Sequence, residues 1–230
     1  LGVLAVGQTL LLVAGQLDLS VGAGVSFISI VGAKMIEGGS STGAVTLVML
    51  VVGAAIGLLV GLVVAITRVQ PFILTLGLLG VLAGLALIIS SNEPIVTGLT
   101  FSTLSLEELG PIPVPAVIFG GLCVLGAVVL RLTRLGRNAY AIGSNEEAAY
   151  ISGVPTGLTK VWLYTLNGLL VGLAAIMLIA RLGAGDPRAG LGLELEVVTA
   201  VVLGGATLSG GRGTMLGSFL GVFVLGLISN

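Results

Sequence analysis

The 230-residue chain contains no histidine and one cysteine, Cys123. A zinc site of the usual kind therefore lacks its ligands. Ser–His and Cys–His nucleophile pairs cannot be assembled, and no internal disulfide can form. Charge is almost as scarce: nine Lys and Arg with ten Asp and Glu amount to 8% of the residues. A soluble domain carries roughly 25%, so these few charges cannot cover a soluble surface. Aromatic residues reach only 4%, and no basic patch has the size or aromatic interleaving of a nucleic-acid surface. No glycine loop ends in Gly-Lys-Ser or Gly-Lys-Thr, which excludes a nucleotide-binding P-loop; Gly210-Gly211-Arg212-Gly213 lacks the lysine and reads as a turn. The acidic neighbours Glu107–Glu108 and Glu146–Glu147 offer no catalytic spacing, so no enzyme is expected. What abounds is apolar: 56% hydrophobic residues, with 38 glycines besides. Glycine follows no three-residue period, so collagen is excluded. The composition is that of a polytopic membrane protein.

A spanning helix needs about 20 residues, and the apolar stretches run over 1–17, 19–36, 45–67, 71–90, 113–131, 160–182, 194–208 and 214–229. The fold expected is all-α, a transmembrane helical bundle with broken or re-entrant helices. The first two stretches flank Asp18 and could be one broken helix plus a re-entrant piece; 194–208 is short enough to be re-entrant. A β-barrel would alternate over about ten residues, and these runs are continuous. Residues 1–230 read as a single transmembrane domain. Leu1 opens inside an apolar helix and Asn230 closes after another, so a chain incomplete at both ends is expected.

Basic residues are retained on the cytoplasmic side. Arg131, Arg134, Arg137 and Lys160 place 131–160 there. Counting back puts 91–112, with Glu93, Glu107 and Glu108, outside and Arg68 inside as an anchor. Counting forward puts 183–193 outside, where Asp186 and Arg188 stand, with Lys34 near Glu37 on the same side. Arg212 falls on either side according to whether 194–208 crosses. Glycines four apart, at 53, 57 and 61, 80 and 84, 168 and 172, and 217 and 221, suit close helix packing in lipid. Trp162 and Tyr164 fit an interfacial belt.

Segment 138–155 exceeds a mere turn. Ser144 or Asn145 caps a helix with Glu146 and Glu147 in its first turn, and Gly153 and Pro155 stop it. A helix this short is marginal alone and needs a surface, its own bundle or a partner. Ala148 and Ala149 offer a small face, edged by Tyr150 and Ile151. Asp18 is the sharpest polar position: an acid among apolar residues faces a bundle interior or cavity. It reads either as part of a transport path, with Ser20 capping the following helix, or as a plain N-cap. Gln8, Thr75 and Asn167 read as pathway donors and acceptors or as interhelical bonds, and Phe72 as an aromatic wall or as core or lipid contact.

Glu147-Ala148-Ala149, three residues, then Gly153 resembles the coupling loop of ABC-importer permeases. Arg137 to Gly153 looks like the ribose/xylose/galactose branch of sugar permeases. So do Gly15-Gln16-Leu17-Asp18-Leu19-Ser20-Val21-Gly22, Pro71-Phe72-Ile73-Leu74-Thr75-Leu76-Gly77 with Gly84-Leu85-Ala86, and 200–217 with Val202-Leu203-Gly204-Gly205 and Leu208-Ser209-Gly210-Gly211-Arg212-Gly213. The departures are Gln16-Leu17 before the Asp, and Val154-Pro155 where other importers carry Leu-Pro. The resemblance implies a permease for a pentose or hexose in a bacterial inner membrane. It implies a second permease copy, cytoplasmic ATP-binding subunits, a periplasmic sugar-binding protein, and no cofactor or metal in this chain. Coupling would fall to Asn145, Glu146, Glu147, Ala148, Ala149, Tyr150 and Gly153, and the path to Gln8, Gln16, Asp18, Ser20, Phe72, Thr75 and Asn167. The rival readings are an ion-coupled secondary carrier and a purely structural membrane subunit.

Overall fold

The computed structural model describes residues 1–67, 69–98, 100–101, 104, 108–109 and 112–228, with the backbone alone at 108–109. Arg68, Thr103 and Glu107 lie outside the described residues, as does the side chain of Glu108. The helices described are α1 (Gly2–Val13), α2 (Val21–Glu37), α3 (Thr42–Thr67), α4 (Pro71–Ile89), α5 (Val114–Leu132), α6 (Arg134–Ser144), α7 (Glu146–Ile151), α8 (Thr156–Leu182), α9 (Leu193–Leu203) and α10 (Met215–Ile228). Among the described residues four of them, α3, α4, α5 and α8, are long and apolar enough to cross a bilayer. The chain is an all-α membrane bundle.

The stretch 1–36 is neither two full spans nor one helix running on. α1 has 12 residues, a rise of about 18 Å against a hydrocarbon core of about 30 Å. It runs antiparallel to α8: Leu1 shares a cleft with Arg181, while Gly7 abuts Asn167. α2 runs parallel to α8: Asp18 meets Asn167, and Gly24 faces Val171. The chain thus reverses partway through the bundle. Gly15 makes the reversal possible. It takes φ +67°, and the amides of Gly15 and Gln16 bond the carbonyls of Leu12 and Leu11, the left-handed helix stop that glycine allows.

The stretch 194–208 is likewise a partial helix. The chain before it passes along α2 in a series of turns: Gly185 packs on Ser29 and Ala33, and the Gly190 amide donates to Ser26 Oγ at 2.9 Å. α9 then starts beside Gly22 and has 11 residues. Arg212 therefore belongs to a turn at the end of the bundle where α6 lies, since Gly210 and Gly211 abut Gly143.

α3 and α8 form the most extensive helix pair. Gly53, Gly57 and Gly61 lie directly against Gly168, Gly172, Tyr164 and Val161, so backbones meet without intervening side chains. Gly204, Gly217, Gly221 and Ala200 join α9 to α10 in the same way. The Gly80–Gly84 pair does not follow: nothing among the described residues lies within 4 Å of a side-chain position there. The belt reading fails for Tyr164. Trp162 is half exposed, but Tyr164 is fully buried.

Two short antiparallel pairings close one end: β1 (Ile95–Val96) with β4 (Ala184–Gly185), and β2 (Glu108–Leu109) with β3 (Ile112–Pro113). β1–β4 and the 2.6 Å bond from Arg188 Nη2 to Asn92 Oδ1 hold the loops after α4 and α8 together. The basic segment 131–160 lies at the opposite ends of α5 and α8.

Candidate functional site: a buried helix break and a short capped helix

The α1–α2 reversal carries a closed polar knot. Asp18 is 5% exposed. Its Oδ1 accepts from the Ser20 amide at 2.8 Å and the Ser20 hydroxyl at 2.6 Å, and its Oδ2 accepts from Asn167 Nδ2 at 2.8 Å. Ser20 therefore does not cap α2, contrary to expectation; its hydroxyl is spent on Asp18. No cation partners the carboxylate among the described residues, so these three donors offset its desolvation. The next residues are tied as well. The Tyr164 hydroxyl donates to the Leu17 carbonyl at 3.1 Å, and the Leu19 amide donates to Thr75 Oγ1 at 3.1 Å. Thr75 in turn donates to the Pro71 carbonyl, one turn back in α4. The break is thus fastened to α8 and α4 together.

Asp18, Ser20, Asn167 and Thr75 are brought together; Gln8, Gln16 and Phe72 are not bonded into the knot. Both amide atoms of Gln8 are buried without partners among the described residues. Gln16 Nε2 reaches only the adjacent Ala14 and Gly15 carbonyls, at 3.4 and 3.3 Å. Phe72 is half exposed on the outer side of α4. The cavity beside the knot holds about 10 Å³, hardly one water, so the break is shut. A cleft of about 630 Å³ opens elsewhere, between Leu1, Val25, Phe119, Leu178 and Arg181. That is the size of a small-molecule pocket, yet none of the expected pathway residues lines it. Sequence reasoning had no signal for it, because its walls come from distant helices and only Arg181 among them is charged.

At the basic end two helices stand where one was expected. α6 starts at Thr133, whose Oγ1 accepts from the Gly136 amide at 3.2 Å. The Thr133 cap followed by Gly136, Ala139 and Ile142 on the buried side was the legible signal. Gly143 lies against the Val13 carbonyl and Gly211, and Tyr140 donates its hydroxyl to the Gly213 carbonyl at 2.7 Å. Burial pushes the Tyr140 phenol pKa up, against the opposing pull of Arg131, so it remains a donor.

α7 begins where the capping rule places it. Asn145 Oδ1 accepts from the Ala148 amide at 2.9 Å, and Glu146 and Glu147 occupy the first turn. Gly153, at φ +84°, ends it, with the amides of Gly153 and Val154 bonded to the Tyr150 and Ala149 carbonyls. The small face does not point outward as a unit. Ala149 is buried against the chain itself, while Ala148 is exposed. The outward surface comprises Glu147, Ala148, Tyr150 and Ile151, the last two 65% and 76% exposed. Glu146 turns back to Lys160 of α8 at 2.6 Å, a pairing across 14 residues that sequence spacing does not indicate. Among the described residues no three His, Cys, Asp or Glu side chains gather into a metal-binding group.

Over residues 1–230 the chain matches the family described as branched-chain amino acid transport system / permease component. It is 38% identical over 235 residues to the ribose import permease protein RbsC of Escherichia coli (strain K12), covering 99% of this chain and 73% of that one. RbsC of Bacillus subtilis (strain 168) is 39% identical over 232 residues, 100% of this chain and 72% of the relative. The L-arabinose ABC transporter permease protein AraH of Azospirillum brasilense is 35% identical over 242 residues, 100% and 68%. No solved structure matches.

Proposed function

We propose a transport function from one premise: the chain belongs to the family of branched-chain amino acid transport system permease components, on the branch of ABC sugar-importer permeases. It is a transport component and not an enzyme. On this reading the chain passes a monosaccharide through a bacterial inner membrane. The relatives' named solutes, ribose and L-arabinose, favour a pentose. Two copies form the path, two cytoplasmic ATP-binding subunits sit under the α7 helices, and a periplasmic sugar-binding protein delivers the solute at the other end.

The observation that carries this reading is α7: a six-residue helix with its own cap and stop, exposing Tyr150 and Ile151. A helix of that length is not stable by itself, and its outward apolar side chains suit a second surface. It lies at the end rich in arginine, Arg131, Arg134 and Arg137, which the positive-inside rule assigns to the cytoplasm. ATP-driven closure of the ATPase pair moves α7, and the bundle answers by changing which end of the path is open. The shut cavity at Asp18 is then one state of that cycle, opened when α8 shifts against the α1–α2 break.

The test is uptake by proteoliposomes holding the permease, its ATP-binding subunit and its binding protein. Labelled ribose, arabinose, xylose, galactose and fructose are supplied in turn. Uptake that needs both ATP and the binding protein, in complexes containing two permease chains, is expected. Uptake driven by a proton or sodium gradient, with no ATPase present, would refute it.

A further inference from the structure

Lys160 stands in the second turn of α8 and is 8% exposed. A lysine so deeply covered is rare unless paired. Its Nζ lies 2.6 Å from Glu146 Oε1, and the carboxylate side of the pair remains half exposed. About two turns of α8 then carry a pattern. Lys160, Tyr164 and Asn167 fall at i, i+4 and i+7 and share one face. Each makes a bond outside its own helix: Lys160 to α7, Tyr164 to the Leu17 carbonyl at 3.1 Å, and Asn167 to Asp18 at 2.8 Å. The first and last ties are about 10 Å apart along the helix axis. Behind the same stretch of α8, Gly57 and Gly61 of α3 press on Tyr164 and Val161, so it cannot bend freely between the ties.

We propose that Lys160 is a positioning residue that fastens α7 to α8, so that a displacement of α7 reaches the Asp18 break along the Lys160–Tyr164–Asn167 stripe. This rests on the coupling reading of α7 above. The two neighbouring acids then divide their roles. Glu146 faces inward and holds the helix to its lever. Glu147, exposed and without an ion-pair partner among the described residues, faces outward to the ATP-binding subunit. Ala149, buried against the chain, is the apolar half of the same fastening.

The experiment compares native permease with Glu146→Gln, Lys160→Met and the charge-exchanged pair Glu146→Lys with Lys160→Glu. Each is assembled with ATPase and binding protein in proteoliposomes. The readouts are ATPase retained on purification and solute molecules moved per ATP hydrolysed. The single variants are expected to keep the ATPase, because Glu147, Tyr150 and Ile151 still face it. They should lose about fivefold or more in solute per ATP, the low end of measured coupling between sites. The exchanged pair should regain most of that ratio, which a merely structural role for either side chain would not produce. If Lys160→Met fails to insert, Glu146→Gln carries the test, since its site is half exposed. Single variants that match the native ratio overturn the proposal, as does an exchanged pair that assembles yet remains as uncoupled as the singles. A native chain that retains no ATPase would instead overturn the coupling reading itself.

Discussion

Substituting alanine for Gly57 should drive α3 and α8 apart. A Cβ at Gly57 would overlap the Tyr164 carbonyl oxygen and lie 2.9 Å from the Tyr164 carbonyl carbon and 3.1 Å from Gly168 Cα. These are backbone atoms, so no side chain can rotate away. Carbon atoms in good contact sit about 3.5–4.0 Å apart, which requires a local retreat of roughly 0.5–1 Å. Overpacking of this kind costs about 1–3 kcal/mol. Tyr164 is also the residue whose hydroxyl reaches Leu17 at 3.1 Å. The same retreat would break that bond, adding about 0.5–1.5 kcal/mol. Alanine's better helix propensity returns up to about 1 kcal/mol, leaving a net loss near 2 kcal/mol. Gly80→Ala is the internal control. Among the described residues nothing lies within 4 Å of that position, so only the propensity gain applies and the sign should reverse. Unfolding of the isolated chain in mixed micelles, followed by helical circular dichroism, measures both. A difference of about 2–3 kcal/mol between the variants is expected from these terms. Equal stability of Gly57→Ala and Gly80→Ala would refute the claim that the α3–α8 seam is held at backbone contact.

The Asp18 knot makes a second prediction. Asn167→Leu removes the donor to Asp18 Oδ2 at a site 5% exposed, and should cost about 1–3 kcal/mol, read as a lower midpoint in the same unfolding assay; an unchanged midpoint would show that the bond contributes nothing. On α7 the two alanines should behave differently. Ala148→Arg, at an exposed position, should leave the bundle folded and abolish ATPase retention, whereas Ala149→Arg, at a buried one, should unseat α7 and lower the stability of the permease itself. Finally, single cysteines at Asn145 and Glu93, both exposed and at opposite ends of the bundle, should react with impermeant reagent from opposite sides of sealed vesicles. Labelling from one side would defeat the cytoplasmic placement of α7.

Much of the architecture was written in local stretches of chain. Run length and apolarity marked α3, α4, α5 and α8 to within a few residues, because partition into lipid depends on about 20 consecutive side chains. Asn145, Glu146, Glu147 and Gly153 marked both ends of α7, because capping is settled within four or five residues. Asp18 marked a break for the same reason: a carboxylate cannot sit in an unbroken apolar helix without donors nearby. Other features were beyond local reading. The same four-residue glycine spacing occurs in α3 and in α4, yet Gly57 meets α8 and Gly80 meets nothing among the described residues. Spacing offers a smooth face; only the course of the remaining chain supplies a partner for it. The reversal at Gly15, the inward turn of Ala149 and the bond from Glu146 to Lys160 are of the same kind. So is the bond that joins Asn167 to Asp18 across 149 positions. Sequence alone determined where the long apolar helices α3, α4, α5 and α8 and the capped helix α7 begin and stop, and that Asp18 must find polar partners. Tertiary structure decided which partners they found, because those contacts depend on the relative placement of helices distant along the chain.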